Sequence, residues 1–95
     1  MRFEWDDDKE RINVIKHGVN FSTAALVFDD EHCLEMYDEA HSVDEDRFIA
    51  IGNIAGRITV LMVVFTERGD AIRIISARKA TNREEEMYYA GIQRD

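Results

Sequence analysis

The stretch Thr66–Arg83, TERGDAIRIISARKATNR, decides how this chain reads. Glu67–Asp70 is polar and contains Gly69, the composition of a tight turn. Ala71–Ala77 follows as a strand, rich in β-branched isoleucine. Thr81, with Glu84 three residues on, makes a capping box, so a C-terminal helix opens there and runs to about Ile92. The same stretch gathers positive charge. From Arg57 to Arg83 the bases are Arg57, Arg68, Arg73, Arg78, Lys79 and Arg83, against Glu67 and Asp70 alone. A guanidinium on a rigid strand grips phosphate in a planar fork that a flexible ammonium cannot match. Nucleic acid is therefore the first partner to consider.

Upstream of that stretch, Ile58–Phe65 is apolar on both faces and reads as a central strand. Arg47–Asn53 and the short Cys33–Tyr37 are further strands. The connections Ala55-Gly56 and Glu67–Asp70 are short, so the last three strands should form an antiparallel meander. At the N-terminus, Arg2–Trp5 reads as an edge strand. Asp6 then caps a helix, with Asp7, Asp8 and Glu10 at its positive end, Lys16 and His17 at its negative end, and Gly18 as the left-handed stop. Ile12, Ile15 and Val19 recur at spacings of three and four, which predicts a narrow apolar stripe facing inward. Asn20 caps a second helix over Phe21–Phe28, with Phe21, Ala24, Ala25 and Phe28 on one face; Asp29-Asp30-Glu31 ends it. The order β-α-α-β-β-β-β-α makes an α+β fold: an antiparallel sheet packed by two N-terminal helices, plus a C-terminal helix. At 95 residues, one domain spans 1–95.

Composition narrows the function classes. An apolar content of 45% is that of a folded protein rather than a disordered tail. No apolar run approaches a membrane span, and MRFEWDDDK lacks the basic and apolar regions of a signal peptide. A lone Cys33 excludes an internal disulfide and fits a reducing compartment, so the cytoplasm is expected. The net charge of −8 argues against sequence-blind binding to duplex DNA, which needs an extended basic surface. A local anion pocket survives this, because fields are screened within about 8 Å at physiological salt. An acidic surface also suits a basic protein partner. Direct DNA reading is weak, since the C-terminal helix opens with Glu84-Glu85-Glu86, which repel phosphate.

The words FEWDDDK, KHGVNF, AALVFDD, RFIAIG, TERGDAIRIISARKAT and REEEMYY, in that order over nearly the whole chain, resemble the BrnT family of toxins from bacterial type II toxin–antitoxin systems. The resemblance implies a fold related to the RelE ribonuclease toxins. It further implies metal-independent RNA cleavage that arrests translation, and neutralisation by a BrnA antitoxin. Such antitoxins carry a ribbon-helix-helix part, through which the complex reaches operator DNA and represses its own operon. No cofactor is implied. A catalytically weak or inactive module that binds the antitoxin and serves autoregulation is the alternative.

Cleaving RNA without a metal needs a base for the 2′-hydroxyl, cations for the developing phosphorane and an acid for the leaving 5′-oxygen. Arg78 ends the last strand beside the capped helix and would hold the scissile phosphate; tying strand to helix through Glu84 or Glu85 explains it equally well. His41, in a polar loop after a strand, is the histidine placed for acid–base work, with a merely exposed loop side chain as the competing reading, and Arg47 would share the charge. The resemblance supports both, since BrnT-like chains often carry His or Lys and then Arg at these places. Arg73, Lys79, Arg83 and Arg68 are candidate RNA contacts. For Arg73 a cross-strand acidic partner competes with that reading, and for the others solvated surface charge does. Arg57 has the same standing as Arg68. His17 is explained by capping carbonyls, His32 has no assigned place, and Tyr88 or Tyr89 would stack on a base or pack in the core. Asp38, His41, Asp44, Glu45 and Asp46 crowd one loop, but their spacing matches no EF-hand, so no metal is expected there.

Overall fold

Two nine-residue strands, β4 (Val60–Arg68) and β5 (Ala71–Lys79), form the central hairpin, turning at Gly69 with φ +60°. The computed structural model describes residues 1–54 and 58–93. The expected turn Ala55-Gly56 and Arg57 lie outside the described residues. β2 (Leu34–Tyr37), β3 (Phe48–Asn53), β4 and β5 run antiparallel in sequence, and β1 (Arg2–Glu4) adds to β5 in parallel. The order is β1-β5-β4-β3-β2. The meander thus takes in one more strand than expected, and the first pairing makes the sheet mixed. Strand limits also shift: Ile58 is 92% exposed and precedes β4, while β4 and β5 run on to Arg68 and Lys79.

α1 (Asp7–His17) and α2 (Phe21–Ala25) lie on one face, and α3 (Asn82–Gln93) packs on the other. The caps form as read. Asp6 accepts from the Lys9 amide at 3.0 Å, and Gly18, at φ +71°, returns its amide to the Val14 carbonyl. The Asp6 carboxyl is held below its usual range chiefly by the Lys9 amide. Asn20 accepts from the Thr23 amide at 2.8 Å, and Glu10 reaches across from α1 to take the Phe21 amide at 2.8 Å. The second helical segment is α only to Ala25; Leu26–Asp29 tightens into a 3-10 turn. That turn passes so close to β3 that a Cβ on Gly52 would stand 2.9 Å from Val27 Cγ1. Phe21, Ala24 and Val27 are fully buried against Ala50, Val63 and Ile74, and Phe28 joins an aromatic row with Phe3, Phe65 and Phe48.

The expected apolar stripe on α1 is a correction. Ile12 is 51% and Ile15 77% exposed, whereas Asn13 is buried; only Val19 points inward as expected. The reason lies in β5. β1 stops opposite Arg73, so beyond it the outer edge of β5 has no strand neighbour among the described residues. The Asn13 amide takes that place: Nδ2 donates to the Ala77 carbonyl at 2.8 Å and the Val19 carbonyl at 2.9 Å, and Oδ1 accepts from the Ala77 amide at 3.1 Å. A buried backbone pair needs partners, and this side chain supplies them where apolar periodicity would have put isoleucine.

Candidate active site

A one-residue bulge in β5 sets the site. Val64 pairs with Ser76 but Phe65 pairs with Ile74, so Ile75 is the extra residue. Simple alternation would send Arg78 to the same face as Ile74, under the helices. The bulge reverses it: Ala77 joins the buried helix-side core, and Arg78, opposite Met62, emerges on the α3 face. α3 covers that face only in part: Tyr88 and Ile92, with Ala80 just before the helix, pack against Ile51, Val60 and Met62. Beside its first turn the sheet floor stays open.

There a cleft of about 320 Å³ has Ile49, Met62, Val64, Ile75 and Ser76 as its floor. Arg78 and Glu84 form one wall, and Asp38, His41 and Arg47 the other. The second wall is a loop closed by Ser42, whose hydroxyl donates to the Asp38 carbonyl at 2.6 Å and accepts from the Arg47 amide at 2.9 Å. Asp38 also donates its own amide to the Arg47 carbonyl at 2.9 Å. Within this loop the Asp38 carboxylate lies 2.9 and 3.1 Å from His41 Nδ1. The Asp38 side chain is 12% exposed and the His41 side chain 70%, so a fixed carboxylate holds an accessible imidazole. With Nδ1 engaged, Nε2 is the nitrogen left to exchange a proton with a bound molecule.

On the opposite wall, Arg78 pairs in bidentate fashion with Glu84 at 2.8 and 3.0 Å, and Nη1 also donates to the Lys79 carbonyl at 3.0 Å. Glu84 is at the same time the reciprocal cap of α3, accepting from the Thr81 amide at 2.8 Å and donating its own amide to the Thr81 hydroxyl at 3.2 Å. Burial alone would raise the Glu84 carboxyl, but the Arg78 and Thr81 donors outweigh it and hold the group below its usual range. Of the five guanidinium N–H groups these contacts engage three, leaving the Nε–H and one Nη2–H. Both alternatives for Arg78 are therefore present together: it ties strand to helix and it lines the cleft.

The other sequence candidates do not gather here. Arg73 binds Glu4 on β1 at 2.9 Å, the cross-strand pair weighed against a substrate role. Lys79 is exposed opposite Leu61, on the helix-side face, and Arg83 is exposed in the first turn of α3. Arg68 ends β4 at the hairpin and reaches Glu45 at 3.5 Å. Tyr88 is a core residue whose hydroxyl donates to Asp30. Asp30 accepts the Asn53 and His32 amides as well, and although burial would raise its carboxyl, these three donors lower it. Burial and the Asp30 carboxylate push the Tyr88 phenol upward. In the acidic loop Asp46 accepts from Tyr37 and Glu45 from Arg68, and among the described residues no three His, Cys, Asp or Glu side chains are grouped to hold a metal ion. Sequence reasoning missed Asp38 as the partner of His41; their i,i+3 spacing was the available signal.

Among the described residues no helix is long and apolar enough to cross a membrane. None of the curated proteins compared with this chain matches it. The family of the BrnT ribonuclease toxin of type II toxin–antitoxin systems, however, matches residues 5–84, from the end of β1 through the strands and loops that build both walls of the cleft to Glu84 itself. With that match over most of its length, the chain belongs to the BrnT family of ribonuclease toxins.

Proposed function

We propose that this chain is a metal-independent endoribonuclease whose cleft cuts RNA by transesterification, arresting translation. A backbone phosphate sits between Arg78 and Arg47, and an adjacent base rests on the apolar floor of Ile49, Val64 and Ile75. His41 Nε2 removes the proton from the 2′-hydroxyl, the oxygen attacks phosphorus, and the 5′-oxygen leaves with a proton returned by the imidazolium or by water. The guanidinium charges stabilise the phosphorane. Asp38 keeps the ring oriented. The reading is carried by one observation: His41, held by the Asp38 carboxylate and beside Arg47, faces Arg78 across a single cleft.

The type II family implies an antitoxin partner and an RNA substrate. We take the antitoxin to be BrnA-like, with a ribbon-helix-helix part that contacts operator DNA for the complex. We place both proteins in the cytoplasm and relate the layout to the RelE toxins. One observation favours the alternative of an inactive, antitoxin-binding module: Glu84 already fills the fork of Arg78. Purified protein incubated with total RNA in chelator separates the two. Cleavage by wild type, reduced about 10²–10³-fold by Arg78→Ala, supports the nuclease. An intact fold with no cleavage at high protein concentration, and harmless expression without the neighbouring gene, supports the module.

A further inference from the structure

The helices leave one end of their own face uncovered as well. Near the β4–β5 hairpin a groove of about 480 Å³ runs across the strands, from β2 to Met1 beside β1. Tyr37, Phe48, Phe65 and Ile72 are its apolar lining, and Tyr37 is 51% exposed. The side-chain charges on its rim are Glu35 and Glu67, both exposed. Four strand spacings make its span about 19 Å, the length of roughly six extended residues. It lies on the opposite side of the sheet from the cleft, since Tyr37, Phe48 and Phe65 pair along one face while Ile49 and Val64 belong to the other.

We infer that this groove is the docking surface for the antitoxin, which seats an aromatic or long aliphatic side chain on Phe48 and Ile72 and reaches Glu35 and Glu67 with Lys or Arg. The occupant follows from charge. Carboxylates on both rims repel RNA phosphate, so the groove is no extension of the substrate path. A second copy of a chain with net charge −8 is repelled too. A basic protein segment with an apolar anchor satisfies both the floor and the rims. The inference rests on the toxin–antitoxin reading of the family, and it locates the partner away from the cleft walls.

The test is calorimetric titration of the folded toxin with the antitoxin encoded beside its gene. Glu35→Lys with Glu67→Lys should raise Kd by about 30-fold or more, and Tyr37→Ala by about tenfold, with melting temperatures retained. The same charge change made on α3, Glu85→Lys with Glu86→Lys, should leave Kd within about threefold. So should Ile12→Ser with Ile15→Ser on the exposed face of α1. In cells, antitoxin should no longer relieve growth arrest by the Glu35/Glu67 variant. An unchanged Kd in that variant, or a loss that follows the α1 variant instead, overturns the inference. Sedimentation showing that the groove pairs two toxin copies overturns it equally. If wild type binds antitoxin through the groove yet cuts no RNA, the nuclease proposal fails and this inference stands. If wild type binds no antitoxin, both the docking site and the antitoxin reading fall.

Discussion

On the face covered by α1 and α2, Phe21, Ala24 and Val27 close over Ala50, Val63 and Ile74, and even the free edge of β5 is filled by Asn13. On the face covered by α3, Tyr88 and Ile92 seal only the end near Ile51 and Val60, while Ile49, Val64 and Ile75 remain the floor of an open cleft. Apart from the groove at its hairpin end, the first side is therefore closed, whereas the second is open at its charged cleft. Burial of apolar surface is what holds the domain together, so floor left uncovered between charged walls is surface available to a ligand. Substitutions on the two sides should accordingly fail in different currencies: stability on the first, catalysis on the second.

The largest effect is expected at Asn13. Asn13→Ala leaves the Ala77 amide and the Ala77 and Val19 carbonyls without their buried partners. At about 1–3 kcal/mol for each unsatisfied group, partly offset by entering water, the loss should be about 3–4 kcal/mol in urea unfolding. A loss below 1 kcal/mol would show that β5 needs no edge partner there. His41→Ala on the open side should do the reverse. The side chain is 70% exposed, so unfolding should change by less than about 0.5 kcal/mol while single-turnover RNA cleavage falls about 10²-fold or more. Asp38→Asn should lower cleavage by about tenfold with the unfolding free energy retained, which distinguishes orientation of the ring from mere loop stability. Cleavage untouched by His41→Ala would remove the imidazole from the mechanism.

Glu84, on the open side, combines the two roles, because it stabilises α3 and occupies the fork of Arg78. Its carboxyl is lowered in the folded protein, so its contribution is complete above the unfolded value near 4.5 and is lost as pH falls through the lower folded value. Asp30 behaves in the same sense below its ordinary 3.8. Acid unfolding curves of Glu84→Gln should thus lose part of the slope below about pH 4.5 seen in wild type. In the cleavage assay the same variant should lower KM by about two- to fivefold, since phosphate no longer competes with a carboxylate for Arg78. A weaker acid slope with unchanged KM would make Arg78 a structural tie alone.

How much of this was legible follows residue by residue. The caps at Asp6, Gly18, Asn20 and Thr81–Glu84 are local chemistry and were readable, as were the strands, because each signal lies within a few residues of its effect. Arg78, His41 and Arg47 could be named from residue type and position, but not their meeting across a cleft: that depends on the Ile75 bulge, which no repeat in the sequence announces. The assignment of Arg73 to Glu4 needed the parallel pairing of β1, a contact between residues 69 positions apart. α1 was misread for a similar reason. Periodicity weighs apolarity, and here the inward position is decided by a hydrogen-bonding debt on a distant strand.

That misreading supplies the smallest expected effect. If Ile12 and Ile15 formed an inner stripe, replacing either would open a cavity and cost about 2–5 kcal/mol. As placed, Ile15 is 77% exposed and Ile12 51%, and neither fills the core beneath α1. Ile15→Ser should therefore change the unfolding free energy by no more than about 0.5 kcal/mol, set by helix propensity rather than burial. Ile12→Ser should cost slightly more, because half of its surface is covered. A loss of 2 kcal/mol at Ile15 would mean that α1 turns a different face to β5, and then Asn13 could not reach Ala77.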